Sequence, residues 1–134
     1  MGEVDNFFKV CKEFGGSIGE PSPTLKGIGA VVCNLKNVKI TFIPERSVVV
    51  EKGGDYFDII SPSIHFEIER PSRFTTFFIS PEIQKKKEEK MLKINVEGGF
   101  ITIEEDNTID LEIDVERATK SIVAKRLGLL GEED

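Results

Sequence analysis

The sequence is poor in several residue types, and each shortage argues against a class of protein. Its 134 residues include no tryptophan, one tyrosine, one histidine and two cysteines. So few histidines and cysteines leave little material for a metal site, and we therefore expect neither a metal nor a cofactor. No apolar run approaches the roughly 20 residues that a membrane-spanning helix requires, so we expect no contact with a membrane.

Basic residues and side-chain amides are also scarce. Lys and Arg total 18 against 24 Asp and Glu, and the net charge of −6 argues against general binding to phosphate backbones. One Gln and five Asn stand beside thirteen Lys and seventeen Glu, a balance typical of heat-adapted proteins. The first residues lack the basic and apolar character of a secretory signal, which predicts a cytoplasmic location.

The two cysteines, Cys11 and Cys33, fall on different predicted elements and have no CxxC partner. We interpret them as small buried hydrophobic residues in a reducing cytoplasm, with a disulfide between them as the alternative.

Hydrophobic spacing and turn residues predict a single domain over residues 1–134. Val4, Phe7, Cys11 and Phe14 recur at helical spacing ahead of Gly15, which indicates a helix at one end of the chain. The predicted segments are a helix at 4–14, a Gly- and Pro-rich loop at 15–27, a β-rich region at 28–115, a helix at 116–127 and an acidic tail at 131–134.

The last part of the β-rich region predicts a three-stranded meander over 92–97, 100–105 and 109–115. A two-residue turn at Gly98-Gly99 places Val96 opposite Ile101 and Lys93 opposite Glu104. A three-residue loop at 106–108 places Ile103 opposite Leu111. Both turns give the same apolar face, which consists of Ile94, Val96, Ile101, Ile103, Leu111 and Ile113.

The middle of the chain predicts a second antiparallel group, preceded by strands at about 28–33 and 38–43. A turn at Gly53-Gly54 pairs Val48 with Ile59 and Val50 with Phe57. A loop at 60–63 then pairs Phe57 with Phe66, and a turn at Pro71-Ser72 pairs Phe66 with Phe77. Its apolar face is Val48, Val50, Phe57, Ile59, Ile64, Phe66, Ile68, Phe77 and Ile79.

These patterns predict an α+β fold with about nine short strands and a helix at each terminus. The antiparallel, meander-rich sheet forms either two packed sheets or a partly closed barrel.

We predict that the binding surface is the side of these strands opposite the second apolar face, because it carries aromatic rings and arginines that the core does not need. Its members are Tyr56, His65, Arg70, Arg73, Phe74 and Phe78. Three interpretations stay open: a second core covered by the chain itself, a protein interface, or a platform on which single-stranded nucleic acid stacks.

The remaining charged and nucleophilic residues favour structural interpretations. His65 near Asp58, with Ser61 in the next loop, superficially resembles a nucleophile with its base, but no strand-to-helix elbow frames the serine. The ladder Asp110, Glu112 and Asp114 is spaced too widely along a strand to bind one ion, and indicates a solvated face that discourages edge-to-edge aggregation. The lysines at 85–90, interrupted by glutamates, indicate a solvated linker.

From the sequence alone we therefore expect no catalytic activity. The leading hypothesis is a cytosolic binding module that acts through protein–protein contact, as a homo-oligomer or with another protein. The alternatives are binding of single-stranded nucleic acid by the aromatic and arginine face, and binding of a small apolar ligand between sheet and helix.

Overall fold

A computed structural model describes residues 2–70 and 90–113, together with the backbone of residues 122–124. Two helices lie in these ranges, α1 (Glu3–Glu13) and α2 (Pro23–Gly27). The strands in chain order are β1 (Ser17–Gly19), β2 (Val31–Asn34), β3 (Val38–Ile43), β4 (Ser47–Lys52), β5 (Asp55–Ile60), β6 (His65–Glu69), β7 (Met91–Val96), β8 (Gly99–Glu104), β9 (Ile109–Ile113) and β10 (Ile122–Ala124). Neither helix of these ranges, at 11 and 5 residues, could cross a bilayer.

The first helix forms where its spacing predicts. Phe7, Val10, Cys11 and Phe14 repeat at intervals of three or four residues, and all four are buried. Gly15 follows with φ of 97°, a left-handed conformation that glycine adopts without steric cost, so the chain leaves the helix there. The predicted helix at 4–14 is therefore confirmed.

The segment predicted as a loop at 15–27 contains two short regular elements. Strand β1 pairs with β2, Ile18 lying opposite Cys33. Helix α2 begins after Ser22, whose hydroxyl accepts a hydrogen bond from the Leu25 N–H at 3.4 Å, with Pro23 at the first helical position. Both are helix-start signals, and the prediction missed them because the dense Gly and Pro content suggested irregular structure.

The fold is α+β, with two unclosed antiparallel sheets and a helix near the N-terminus. The first sheet has the strand order β1-β2-β3-β4-β5-β10, and the second has the order β6-β7-β8-β9. The predicted turn at Gly53-Gly54 is confirmed, because Val48 pairs with Ile59 and Val50 with Phe57.

The predicted hairpin between β5 and β6 is wrong, because the chain crosses from the first sheet to the second at residues 61–64. Strand β6 pairs with β7, placing Phe66 opposite Ile94 and not opposite Phe57. Either partner leaves Phe66 on an apolar face, so alternation of hydrophobic residues did not distinguish them. The predicted pairs with Phe77 and Ile79 lie outside the described residues.

The predicted meander is confirmed in its strands and faces, but its register is wrong by two residues at each turn. The first turn is Glu97-Gly98, which pairs Val96 with Gly99 and places Lys93 opposite Thr102 instead of Glu104. Gly99 is the first residue of β8, and a Cβ there would collide with the Glu112 carbonyl oxygen of β9. Close packing of the two strands therefore requires glycine at this strand position.

The second turn of the meander is a three-residue loop at 105–107. It places Ile101 opposite Leu111, whereas the prediction placed Ile103 opposite Leu111. Its last residue, Asn107, has φ of 71°, as expected for a loop of this length that closes with a left-handed residue. A slip of two residues keeps every side chain on its predicted face, since the side-chain period of a strand is two.

The helix predicted at 116–127 is wrong over the three residues that the structure describes. Residues 122–124 form β10, which pairs with β5 so that Ile122 lies opposite Ile59 and Ala124 opposite Phe57. A run of three β-branched or small apolar residues is compatible with a strand beside β5 and also with one turn of an amphipathic helix, so the pattern did not distinguish the two. The rest of this predicted helix and the acidic tail at 131–134 lie outside the described residues.

The two sheets and α1 share one hydrophobic core. Three phenylalanines meet at its centre, one from each layer: Phe7 of α1, Phe42 of β3 and Phe66 of β6. Their ring centroids are 4.9–5.5 Å apart, within the range of favourable aromatic pairs. The other residues of this core with under 2% of their surface exposed include Ile40, Val48, Val50, Ile59, Leu92, Ile94, Ile101 and Ile103.

The interpretation of the cysteines as unpaired is wrong. Cys11 and Cys33 form a disulfide with a Cα–Cα distance of 5.9 Å. They lie on different elements, but the buried face of α1 packs against β2 and brings the two side chains together. The bond therefore ties the N-terminal helix to the first sheet.

We expect Ile103→Ala to lower the free energy of unfolding by about 2–5 kcal/mol, because it empties a site at the centre of the second sheet. Ile103 is completely buried, whereas Ile60 keeps 45% of its surface exposed, so Ile60→Ala is the control. Urea denaturation of both variants measures the difference. A loss of under 1 kcal/mol for Ile103→Ala, or equal losses for the two variants, would contradict this description of the core.

We expect reduction of Cys11–Cys33 to lower the stability by about 3 kcal/mol, the loop-closure term for a bridge of this span. The two cysteines are separated by 22 residues. Denaturation with and without a phosphine reductant measures the effect, and the Cys11→Ala/Cys33→Ala variant, which has no bond to reduce, is the control. Identical curves for the wild-type protein under both conditions would show that the bond contributes nothing.

Candidate functional site

The structure divides the predicted binding face between two sheets. Tyr56 lies on β5 of the first sheet, whereas His65 lies on β6 of the second. Arg73, Phe74 and Phe78 lie outside the described residues. The juxtaposition of Tyr56 with His65 depended on the β5–β6 hairpin, which does not form.

Tyr56 lies on the outer face of the first sheet, opposite Glu51 of β4. On the same face of β5, Asp58 is paired with Val49 on one side and Val123 on the other, and not with His65. Its Oδ1 atom is buried and accepts no hydrogen bond from the residues that the structure describes. Tyr56 and Asp58 are half-buried, so this face offers little free apolar surface apart from Ile60 at the end of the strand.

His65 lies in an acidic environment on the outer face of the second sheet. It is exposed, and its row across the sheet continues through Asn95, Phe100 and Glu112. The Asn95 amide donates a hydrogen bond of 3.0 Å to the Glu67 carboxylate. A phosphate approaching His65 would therefore meet the Glu67 carboxylate on the same face of β6, which argues against nucleic acid there.

Phe100 and the basic residues nearby already have partners. The Lys93 ammonium lies 4.2 Å from the centre of the Phe100 ring and 3.4 Å from a Glu69 carboxylate oxygen. Arg70 forms an exposed ion pair of 3.9 Å with Glu13 at the end of α1. These contacts hold side chains in place around the second sheet and leave no cluster of free cations among them.

Ser61, considered above as a nucleophile, organises the crossover between the sheets. Its hydroxyl donates to the Ser63 carbonyl at 2.7 Å and accepts a hydrogen bond of 3.0 Å from the Glu97 N–H. Its own N–H donates to the Arg46 carbonyl at 3.0 Å. Ser61 is completely buried, so a substrate has no access to it, and its hydrogen bonds connect the β3–β4 turn, the crossover and the β7–β8 turn.

The two sides of the sandwich are closed differently. On one side α1 packs against β1, β2 and β6, and the Asn6 amide donates a hydrogen bond of 2.8 Å to the Phe66 carbonyl. On the other side the sheets end at β10 and β9, and no described helix lies between them. We call this second side the open side.

A small pocket lies on the open side, where the inner face of the first sheet meets the start of β9. We call it the side pocket. Its volume is about 270 Å³, and it is lined by Val50, Lys52, Asp55, Phe57, Thr108 and Ile109. The Lys52 ammonium donates a hydrogen bond of 2.8 Å to the Asn107 carbonyl, which joins the two sheets at the pocket rim.

The apolar side chains on the open side are only partly covered. Phe57, Ile109 and Leu111 pack against the core but remain half-buried, whereas Val50 behind them is 1% exposed. Sequence reasoning placed Phe57 and Leu111 on apolar faces but did not find the pocket. Its two walls come from strands separated by about 50 residues, and only the packing of the sheets brings them together.

The edge of β9 is the second feature of the open side. Within residues 2–70, 90–113 and 122–124, β9 pairs with β8 alone. Asp110 and Glu112 are exposed on its outer face, and Ile109, Leu111 and Ile113 lie half-buried on its inner face. The edge therefore combines unpaired backbone, apolar surface and negative charge.

In the described ranges, no three side chains of His, Cys, Asp or Glu come together as a metal site would require. The chain was also compared with known proteins. No protein-family model matches it, and no curated protein or solved structure is significantly similar to it.

Proposed function

We propose that the protein is a non-catalytic binding module that acts through contact with another polypeptide, and that the contact is made on the open side. The observation that carries this proposal is the combination of the side pocket with the edge of β9. Half-buried apolar side chains beside the edge strand of a sheet are typical of surfaces that a protein partner covers.

The dimensions of the side pocket favour a polypeptide over a small molecule. Sites for drug-sized ligands usually measure about 300–1,000 Å³ and enclose most of the ligand. The side pocket, at about 270 Å³, lies at the lower end of this range and opens to solvent, so it encloses little of a ligand and suits one large apolar side chain. Such an anchor, in a pocket surrounded by weaker contacts, is the usual core of a protein interface.

Charge and geometry support this proposal over nucleic-acid binding and catalysis. The net charge is −6, and Asp110 and Glu112 place two of the negative charges on the outer face of β9. His65 and Asp58 lie on different sheets, and the Ser61 hydroxyl is engaged in the crossover. None of the three residues weighed for catalysis is therefore positioned to act on another.

Site-specific photo-crosslinking tests the proposal. A benzoylphenylalanine placed at Thr108, an exposed residue on the rim of the side pocket, is expected to form a discrete cross-linked species in cells of the source organism. The same group at Lys36, an exposed residue in the β2–β3 connection, is the control. Denaturing electrophoresis and mass spectrometry identify the product.

The control separates a specific contact from random collisions. If the two positions give equal yields, or if Thr108 gives no product, the open side does not bind a protein and the proposed function is wrong. A sharp product at Thr108 that is lost in the Ile109→Arg variant supports it, because the arginine places a charge in the side pocket.

We also infer that the protein works in the cytoplasm of a heat-adapted organism. Disulfides are rare in the cytosol of mesophiles, but intracellular proteins of hyperthermophiles contain many. The buried Cys11–Cys33 bond and the scarcity of Asn and Gln fit that combination. We expect a Tm above about 80 °C by calorimetry, against about 45–65 °C for domains from mesophiles. A Tm in the mesophile range would contradict the inference.

A further inference from the structure

The two edges of the second sheet differ in how their backbone groups are covered. At the β6 edge, α1 packs alongside, and the Asn6 amide satisfies the Phe66 carbonyl. At the β9 edge no such cover exists within the described residues. Natural proteins usually protect the edges of sheets, so an edge left uncovered beside an apolar pocket points to a strand partner.

The hydrogen-bond pattern shows which backbone N–H and C=O groups of β9 point away from β8. The Glu104 N–H donates to the Thr108 carbonyl at 2.9 Å, where the β8–β9 hairpin closes. Hydrogen-bonded and non-hydrogen-bonded pairs alternate along an antiparallel ladder, so Asp110 and Glu112 hydrogen-bond to β8. The N–H and C=O groups of Ile109, Leu111 and Ile113 therefore point away from β8, toward the position of a further strand.

The side chains of the edge specify the chemistry of that strand. A strand added beside β9 would place every second residue on the outer face, next to the exposed carboxylates of Asp110 and Glu112. Its intervening residues would face inward, next to Ile109 and Leu111. The residue nearest the start of β9 would reach the side pocket, which adjoins Ile109.

A second copy of the chain does not satisfy these requirements. Two β9 strands paired antiparallel about Leu111 would place Asp110 of each copy opposite Glu112 of the other. Pairing about Asp110 or about Glu112 places identical carboxylates opposite each other. Like charges directly opposed across strands are destabilising, so each of these three registers, which overlap most of β9, is disfavoured.

We propose that β9 is a docking edge for an extended segment of another protein in which basic and apolar residues alternate. The segment extends the second sheet by one strand, its basic side chains pair with Asp110 and Glu112, and one large apolar side chain fills the side pocket. This inference rests on the proposed function and specifies its partner. It also gives the acidic ladder a role beyond solvation, because the charges that repel a second copy select a basic strand.

Binding of designed peptides tests the proposal on the full chain. The probe is a fluorescein-labelled eight-residue peptide in which lysine alternates with isoleucine and valine. Its controls are the same peptide with glutamate in place of lysine, and a peptide of the same composition whose alternation is broken. We expect only the alternating basic peptide to raise the fluorescence anisotropy, with an affinity that weakens as salt is added.

Amide hydrogen exchange locates the bound strand without altering the protein. On binding, the amide protons of Ile109, Leu111 and Ile113 should become at least tenfold more protected. Those of Asp110 and Glu112, which already bond to β8, should change little. If the peptide binds and these three amides stay unprotected, strand addition at β9 is wrong.

Charge variants test the selection of a basic partner. Asp110→Lys/Glu112→Lys should weaken binding of the basic peptide at least tenfold and allow the glutamate peptide to bind. The control Glu20→Lys/Glu45→Lys makes the same change in net charge at exposed positions outside both sheets and should leave the affinity within twofold. Equal weakening by the two variants would show general attraction to an acidic protein and overturn the proposal.

Two further outcomes separate this proposal from the proposed function. If no peptide binds while Thr108 still forms its cross-linked product, the module binds protein but not through a basic strand. If the cross-linked product is also absent, both proposals fail. Sedimentation that reveals a dimer, with the Ile109, Leu111 and Ile113 amides protected in the absence of peptide, would identify a second copy as the occupant and overturn the proposal.

Discussion

The arrangement of the chain depends on the contact of three phenylalanine rings. Phe7, Phe42 and Phe66 come from the helix, the first sheet and the second sheet, and each ring contacts the other two. Neither sheet nor helix buries its apolar face alone, and all three layers contribute to one core cluster around these rings. Because Phe7 lies on α1, the same contact determines which side of the sandwich the helix closes.

The position of α1 makes the two sides of the sandwich unequal. The disulfide to β2, the Asn6 hydrogen bond to β6 and the Arg70–Glu13 ion pair all hold the helix on one side. The opposite side keeps half-buried apolar residues and a pocket bridged by Lys52. Within the described residues, α1 therefore closes one side of the sandwich and no helix lies on the other, and we place the proposed contact on that second side.

Burial determines the roles of several residues that the sequence left ambiguous. The Ser61 hydroxyl serves the fold as a buried hydrogen-bonding group, because the Glu97 N–H that it accepts would otherwise be left unsatisfied at a cost in stability. The two cysteines became a crosslink because the helix carries one of them onto the strand that carries the other. In both cases the side chain's role comes from a partner that is distant in sequence.

The sequence by itself determined the local structure: the helix at 4–14, the Gly53-Gly54 hairpin, and the apolar face of the meander. Helical spacing, turn residues and the two-residue period of strands act over a few residues, so they can be read directly from the chain. Only the tertiary structure decided the meander register, the crossover after β5, the strand at 122–124, the disulfide and the side pocket. Each of these depends on which elements meet, and a face that alternates correctly serves several partners equally well until packing of the core selects one.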